Sequence, residues 1–361
     1  MKQILKEVLG VDVAQKELVA SLGRMHNDLT IEIYAYKVFK NSEAGIIALL
    51  KWTKLLVNKE VRVQFVMEAT GVYHEKLAYY LEEKGYDVSI VLPNKISNYF
   101  RTLDVKTVTD KSCSEAIARF GLERKLGLWN KPQKVYKELK QLTRERDQIV
   151  EERSMVKNQL HAEEVEVEPN KRSVQRQKLR IKFLNEQEKE IKKDIDSIIK
   201  KDEKLKQKIA NICSIPGIGE LTAVIVLAET NGFELIRNKK QLTSYAGLDV
   251  KEKLSGTSVK GKPKISKRGN RYLRKAMHLP SLSAVKYIQV LKELYVRIVS
   301  KSGIKMKALI AVQRKLLELI YVIYKNNTIF INNYEKERAE NIVVVSALKQ
   351  TSLKPFLEKQ I

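Results

Sequence analysis

The chain has 361 residues, with 68 lysines and arginines against 43 aspartates and glutamates, which gives a formal net charge of +25. This length predicts two domains and a connector, and the positive excess indicates a polyanionic partner, with nucleic acid as the first candidate. Because no run of about 18 apolar residues and no secretion signal occurs, we expect no membrane association and a cytoplasmic, nucleoid-associated protein.

Residues 1–130 alternate between β-rich runs and helical stretches, which predicts an α/β layered domain. Turn residues between the first three strands favour an antiparallel meander. The predicted strands are 8–14, 17–25, 31–39, 61–70 and 86–93, and the predicted helices are 43–57, 73–84, 94–103 and 110–120. This order is that of an RNase H-like domain, the fold of RuvC-like proteins, in which the first and fourth strands are neighbours.

Residues 131–209 predict a helical connector, because Lys, Glu, Arg and Gln dominate there. Apolar residues recur at steps of four and three, with interruptions at Glu188 and Asp202, which is typical of a coiled coil. The later seam comprises Leu184, Ile191, Ile195, Ile198, Leu205 and Ile209, and the earlier one Leu142, Ile149, Val156 and Leu160. The turn-like segment 164–173 separates the two seams, so we expect an antiparallel helical hairpin, or a dimer built from one.

Residues 210–330 predict a mainly α domain, with 331–361 as a C-terminal tail. The run from Pro216 to Gly219 before a helix is a helix-hairpin-helix pattern. Gly217 and Gly219 would let backbone N–H groups approach a phosphate at the helix N-terminus, although a plain turn between helices has the same pattern. Helices are also predicted near 269–300 and 304–325. The last has an apolar face that favours the core, formed by Leu309, Val312, Leu316, Leu319 and Ile320.

Three carboxylates interrupt apolar or structured runs of the first domain. Asp12 lies within a strand, Glu68 ends another strand, and Asp110 opens a helix. Each has an ordinary alternative, as a solvent-facing residue, a turn residue and a helix cap. In an RNase H-like sheet, however, the three side chains would converge, and convergent carboxylates bind Mg²⁺ or Mn²⁺ for phosphodiester chemistry.

Residues 252–277 contain nine lysines and arginines and a single glutamate. Cations spread over a loop and a helical turn suit backbone phosphates and offer little discrimination between bases. A solvated loop is the alternative. The predicted nucleic-acid-binding residues here are Lys260, Lys262, Lys264, Lys267, Arg268, Arg271 and Arg274.

With "GVDVA", "MEATGVYHEKLAYYLEEKGYDVSIVLPNKISNYF", "TDKSCSEAIARFG", "IPGIGELTAVIVLAE", "YAGLD" and "SGTSVKGKPKISKRGNRYLRKAM" in this order, the chain resembles the DEDD-type insertion-sequence transposases over about residues 8–325. The resemblance implies a RuvC-like domain and a C-terminal transposase domain. It also implies that Ser255 attacks a DNA phosphodiester, with Asp12, Glu68 and Asp110 holding Mg²⁺. A structured guide RNA, DNA of the element ends and target, and a dimer that becomes a tetramer on synapsis are the implied partners.

The chain departs from the family pattern at Cys113, where a fourth acidic residue is usual. Glu115 is a poor substitute, because positions i and i+3 of a helix share a face whereas i+5 is turned by about 140°. Magnesium prefers oxygen to sulfur, so Cys113 is not assigned as a ligand. Either three carboxylates suffice, or metal binding is weakened.

Two other functions fit parts of the sequence. One is a junction-resolving endonuclease in which metal-activated water cuts DNA and Ser255 is structural. The other is a non-catalytic coiled-coil protein that binds nucleic acid through charge alone. An actin-like ATPase ranks last, since glycine-rich phosphate loops do not follow the strands.

Overall fold

The computed structural model describes residues 3–332 except 70, 104, 106, 235, 253, 256–258 and 262–263, and it describes 254–255 and 259–260 by their backbone alone. The chain divides into two compact units, Met1–Lys131 and Pro132–Ile361. Each unit has its own hydrophobic core. Within the described part of the chain, every helix is too short or too polar to cross a membrane.

The first unit is built on a five-stranded sheet. Its strands are β1 (Ile4–Val13), β2 (Glu17–His26), β3 (Ile31–Lys40), β4 (Val63–Glu68) and β5 (Asp87–Val91). The spatial order is β3-β2-β1-β4-β5. The first three strands pair as an antiparallel meander, whereas β4 is parallel to β1 and β5 is parallel to β4. This is the topology of an RNase H-like fold, as the order of strand and helix patterns predicts.

Two helices cover each face of this sheet. They are α1 (Glu43–Leu56), α2 (Glu75–Glu83), α3 (Pro93–Phe100) and α4 (Asp110–Glu123). Because strand side chains alternate between faces, Leu9 and Val11 of β1 pack in one core with α1 and α2, and Val8 packs in the other with α3 and α4. The site residues lie on the α4 side.

The second unit is mainly helical. It begins with two long helices, α5 (Lys134–Val165) and α6 (Lys171–Lys201), which we call the α5–α6 hairpin. Seven shorter helices follow: α7 (Glu203–Cys213), α8 (Glu220–Thr230), α9 (Lys239–Tyr245), α10 (Arg271–Ala276), α11 (His278–Tyr287), α12 (Gln289–Ser302) and α13 (Lys305–Asn326). Two short ribbons, described with the site below, lie between α9 and α10.

The α5–α6 hairpin is antiparallel, since ion pairs join Arg146 to Glu188 near its base and Glu164 to Lys178 near its turn. Its buried residues agree only in part with the predicted seams, since Leu142 and Leu160 are partly exposed. Near the end of α6, Ile199 is buried, whereas the predicted Ile198 is only partly buried. Glu188 was predicted as an interruption of the seam, but it lies inside the seam and is only 6% exposed.

Asp202, predicted only as an interruption of the apolar seam, also separates two helices. It follows the last residue of α6, and its side chain accepts a hydrogen bond from the backbone N–H of Leu205 in α7. An aspartate in this position satisfies one of the free N–H groups at the start of a helix. Beyond this break, Leu205, Ile209 and Ile212 of α7 belong to the core of the second unit.

The predicted apolar face of the last helix is confirmed as core. Leu309, Val312, Leu316 and Ile320 of α13 are buried, and Leu319 is partly buried against them. The stretch near 269–300 contains three helices, with Met277 ending α10 and capping α11. Pro280 falls in the first turn of α11, where its missing N–H has no helical partner to lose.

Candidate active site

Helix α4 lies directly on the backbone of β1, and two glycines make this possible. A Cβ built on Gly10 would lie 2.3 Å from the backbone nitrogen of Ala118. One built on Gly121 would lie 2.8 Å from Val8. Distances this short exclude any side chain at either position. The close approach brings the N-terminal turn of α4 to the carboxyl ends of β1 and β4.

The start of α4 is fixed by a reciprocal cap. The Thr109 side chain accepts from the backbone N–H of Ser112, and the Ser112 hydroxyl bonds the backbone N–H of Thr109. Asp110 therefore occupies the first helical position, where the helix dipole favours negative charge. One turn further on, the buried Ser114 hydroxyl lies 2.7 Å from that of Ser21 on β2 and ties the helix to the sheet.

The strand register places Asp12 and Glu68 side by side. Strands β1 and β4 are parallel, and their last registered pair is Val11 with Met67. The next residues along each strand are Asp12 and Glu68, which therefore share a face. It is the face that carries Gly10 and hence α4.

The pKa shifts of these side chains indicate that their charges interact. Burial, followed by the negative charges of Asp110 and Glu68, raises the pKa of Asp12 to about 6. Burial, followed by the charges of Asp12, Asp110 and Glu68, also raises the pKa of the Cys113 thiol. Four groups from three elements are thus close enough for their charges to interact, including the cysteine at the position of the expected fourth acid.

Such a cluster has the donor chemistry of a divalent-cation site. Carboxylate oxygens are the ligands that Mg²⁺ and Mn²⁺ prefer, and a cation would relieve the repulsion felt by the half-buried Asp12. Among the described residues, however, no group of three or more His, Cys, Asp or Glu side chains has a geometry that could hold a metal ion. The donors therefore fit the ion, while their present arrangement does not complete a coordination shell.

Ser255 lies on a β-structure between α9 and α10. Strand β6 (Val250–Lys251) pairs with β9 (Lys264–Ile265), and β7 (Leu254–Ser255) pairs with β8 (Val259–Lys260). Both pairings are antiparallel, and the second is nested within the first in sequence. We call the four strands β6 to β9 the Ser255 arm. Ser255 is registered with Val259 in the inner of the two pairs.

Most of the predicted phosphate-binding cations are exposed. Lys264, Lys267, Arg268 and Arg271 all present exposed side chains. Arg274 differs, because its guanidinium donates to the carbonyl oxygens of Ala246 and Gly269 at 2.8 and 3.1 Å and is half-buried. Lys262 lies outside the described residues, and for Lys260 only the backbone is described.

The glycines between α7 and α8 have different surroundings. Gly217 has a φ of +93°, and a Cβ there would lie 2.6 Å from Ser283 of α11, so packing alone requires a glycine. Gly219 precedes α8, and a Cβ built on it would meet no atom within 4 Å. Beside it, burial together with the charge and hydrogen bond of Asp196 raises the pKa of Glu220. These acids make the N-terminus of α8 less favourable for a phosphate.

One charged cluster was missed in the sequence. Glu229, at the end of α8, is 2% exposed and forms a two-point ion pair with Arg144 of α5, at 2.7 and 2.9 Å. A signal was present, because Glu229 directly follows the apolar run at 223–228 and a buried carboxylate requires partners. Its partners, 85 and 41 residues away, could not be found from periodicity.

Two family models match this chain. One, a DEDD transposase model of the IS110 type described as "Transposase", matches residues 9–163, and the other, described as "Transposase IS116/IS110/IS902 family", matches residues 209–296. Together they cover more than half of the chain. The first contains the three carboxylates, and the second contains Ser255, Glu229 and the basic stretch.

Two relatives match this chain over nearly their whole length. The "Pilin gene-inverting protein" of Moraxella lacunata and that of Moraxella bovis are each 26% identical over 327 residues, covering 90% of this chain and 98% of the relative. Among solved structures, T. thermophilus RuvC in complex with a Holliday junction substrate is 15% identical and covers 32% of this chain and 97% of RuvC, with a TM-score of 0.23. From the two matched family models, the chain belongs to the IS110 family of transposases, which cut and join DNA.

Proposed function

We propose that this transposase cuts and rejoins DNA by transesterification, with the Ser255 hydroxyl as nucleophile and Asp12, Glu68 and Asp110 as ligands of Mg²⁺ or Mn²⁺. The observation that supports the proposal is the electrostatic interaction of three carboxylates from β1, β4 and α4. Burial, followed by the charges of Asp110 and Glu68, raises the pKa of Asp12 to about 6. Like charges placed close together are unfavourable unless a cation is bound.

In the proposed reaction, a bond forms between Ser255 Oγ and the DNA phosphorus while the bond from phosphorus to one deoxyribose oxygen breaks. The serine proton passes to a carboxylate or to solvent, and the departing sugar oxygen takes up a proton. A bound divalent ion would supply charge stabilisation at the phosphate. Because the phosphoserine link keeps the energy of the broken bond, the strands can be rejoined without ATP.

The remaining residues have proposed roles in binding. Six cations of the basic stretch are proposed to contact phosphates, namely Lys260, Lys262, Lys264, Lys267, Arg268 and Arg271. Arg274 is proposed to support them by holding the carbonyls of Ala246 and Gly269. The turn at Gly217 and Gly219 is proposed as a helix-hairpin-helix contact, which the acids at the start of α8 weaken. The substrate is DNA of the element ends and target, and a structured guide RNA selects it at the nucleoid. The α5–α6 hairpin is the proposed coiled coil of a dimer, with a tetramer at synapsis, and the domains are 1–130, 131–209, 210–330 and the tail.

The test is a trapping experiment with the full chain. The probe is a labelled duplex of the DNA that flanks the gene, mixed with RNA transcribed from that flank and with Mg²⁺. The parent protein should give an adduct that survives denaturation, and Ser255→Ala should give none. Asp12→Asn should also give none, although removal of a repelled charge should leave it at least as stable as the parent.

Two results would count against the proposal. Adduct formation by Ser255→Ala would reject this serine as the nucleophile. Cut ends that carry free 5′-phosphates, with no adduct at any time, would indicate instead an endonuclease that uses activated water.

A further inference from the structure

Glu229 connects three parts of the second unit. Its carboxylate is held by Arg144 of α5, as described above, and by the Asn270 side-chain amide, which donates to Oε2 at 2.6 Å. Its backbone oxygen accepts a hydrogen bond from the Tyr245 hydroxyl at 2.9 Å. One carboxylate at the end of α8 thus joins the long helix α5 to the residue that precedes α10.

Asn270 lies at the base of the Ser255 arm. Its side-chain oxygen caps α10 by accepting from the backbone N–H groups of Tyr272 and Leu273. Its own backbone N–H donates to the carbonyl oxygen of Tyr245 at 2.7 Å. Because the carbonyl side of its amide is engaged in the cap, the Nδ2 group is left to face Glu229.

The two chain segments at the base of the arm are in backbone contact. Ser266 donates its N–H and its hydroxyl to Asp249, and the Lys267 N–H donates to the Gly247 carbonyl. A Cβ at Gly269 would lie 2.5 Å from the Tyr245 carbonyl oxygen. At this density, a displacement of Asn270 must also displace the turn that follows α9 and the strands that leave it.

The same cluster extends to the surface of α10. The Arg144 guanidinium carbon lies 4.5 Å from the ring centroid of Tyr272, within the range of a cation–π interaction. Arg144 therefore holds Glu229 by two hydrogen bonds and stacks on the first turn of α10. The base of the arm is attached to α5 by both residues.

We propose that Glu229 is a positioning residue, which fixes the base of the Ser255 arm to α5 and α8 and thereby sets the place of Ser255 in the reaction. Glu229 is not a catalytic residue in this scheme, since it acts through Asn270 and the arm. This inference rests on the proposed function, because the proposed function makes Ser255 of the arm the nucleophile. The anchoring itself can be tested independently of that assignment.

The decisive variant is Asn270→Asp. Aspartate caps a helix as well as asparagine does, so the α10 cap is retained. Its carboxylate, however, replaces the amide that donates to Glu229 and sets two negative charges against each other. The double variant Glu229→Gln with Asn270→Asp reverses the donor and acceptor, because the glutamine amide can donate to the new carboxylate, and it restores the original net charge.

A matched control is Glu188→Gln. Like Glu229, Glu188 is a buried carboxylate of the second unit. Its two arginine partners, however, lie within the α5–α6 hairpin. The substitution Glu188→Gln should therefore lower the stability of the second unit without removing a contact to the arm. Each protein is measured at a temperature that lies the same number of degrees below its own midpoint of thermal unfolding.

Two measurements are made on the full chain. Hydrogen exchange reports on the backbone amides of Ser266, Lys267 and Asn270, and needs no DNA. Single-turnover adduct formation with the flanking duplex, its RNA and Mg²⁺ reports on the reaction, and the affinity for the same duplex is measured separately. We expect Asn270→Asp to speed exchange and to slow adduct formation about tenfold or more, with affinity changed by less than about threefold.

The swapped double variant should recover at least part of both losses, whereas Glu188→Gln should show neither. Unchanged exchange in Asn270→Asp would overturn the anchoring, and faster exchange with an unchanged reaction rate would overturn the positioning role. An equal loss of rate in Glu188→Gln would also overturn it, because general destabilisation would then explain the result. An adduct that still forms in Ser255→Ala would instead reject Ser255 as the nucleophile. The hydrogen-exchange data would still show whether Glu229 anchors the base of the arm.

Discussion

Gly10 of β1 and Ser114 of α4 are in direct backbone contact, since a Cβ at Gly10 would lie 2.5 Å from the Ser114 carbonyl oxygen. Helix α4 therefore packs directly against the backbone of β1, with no room for a side chain between them. Asp12 lies two residues after Gly10, and Asp110 lies four residues before Ser114. The contact thus decides how closely the carboxylates of the two elements can approach.

Gly10→Ala should damage both the fold and the site. The added methyl group has no room between the strand and the helix, so α4 must shift, with a loss of about 1–3 kcal/mol in the free energy of unfolding. Adduct formation should fall further than that of a surface variant of equal stability. Chemical denaturation and the trapping assay measure the two effects, and a fully active, fully stable Gly10→Ala protein would contradict the packing argument.

Cys113→Asp should strengthen the binding of Mg²⁺. Cys113 lies among Asp12, Asp110 and Glu68, whose charges act on its thiol. A fourth carboxylate there adds a hard oxygen ligand and negative charge, which favour a magnesium ion. Titration calorimetry with Mg²⁺ measures the affinity, and Cys113→Asn provides an oxygen without the charge. An affinity for Mg²⁺ that is the same in Cys113→Asp as in the parent would show that position 113 does not face the ion.

Glu188 should make the stability of the second unit depend on acid pH. Burial alone raises the pKa of Glu188, but hydrogen bonds from Arg153 and Lys192 and the charge of Arg146 outweigh it and lower the pKa to about 2. A depressed pKa contributes stability that is complete above the unfolded value, near 4.5, and is lost as the pH falls toward 2. The whole contribution is on the order of 3 kcal/mol.

The measurement is denaturant unfolding at several pH values between 2 and 6. Glu188→Gln should be less stable than the parent at pH 6, and the difference should shrink as the pH falls. A constant difference across this range would mean that the ion cluster does not provide the stabilisation.

Arg268 and Arg274 should respond differently to substitution, although both belong to the basic stretch. Arg268 is exposed, so Arg268→Ala should weaken binding to any DNA duplex and reduce the slope of log K against log salt by about 1. Arg274 holds two backbone carbonyls, so Arg274→Ala should mainly lower the unfolding temperature. Filter binding over a salt series and thermal unfolding separate the two effects. Equal salt slopes in both variants would contradict this division.

Local pattern was enough to predict the first unit. Runs rich in β-forming residues, separated by turn residues, identify the five strands, and the order of strands and helices restricts the topology to one that nature uses often. The predicted strand 8–14 is observed as 4–13, because Lys6 and Glu7 are polar residues whose partners lie elsewhere in the fold. Strand ends depend on such distant contacts more than strand centres do.

The site was predicted less completely. That Asp12 and Glu68 would be neighbours follows from the strand order, but the fit of α4 against Gly10 depends on two elements that are about 100 residues apart. The nested ribbons of the Ser255 arm were predicted only as a basic loop, since strands of two residues carry no periodicity. Glu188 was interpreted as a break because its arginine partners lie on the other helix.

The buried Glu188 also limits how the two long helices can align. Its carboxylate bonds Arg146 and Arg153, which lie two helical turns apart on α5. Apolar side chains alone would tolerate sliding of one helix by a heptad, since leucine and isoleucine recur on both sides. Such a slide would leave a charged group in hydrocarbon without this pair of partners, so a single ionised residue selects one register out of several with similar packing.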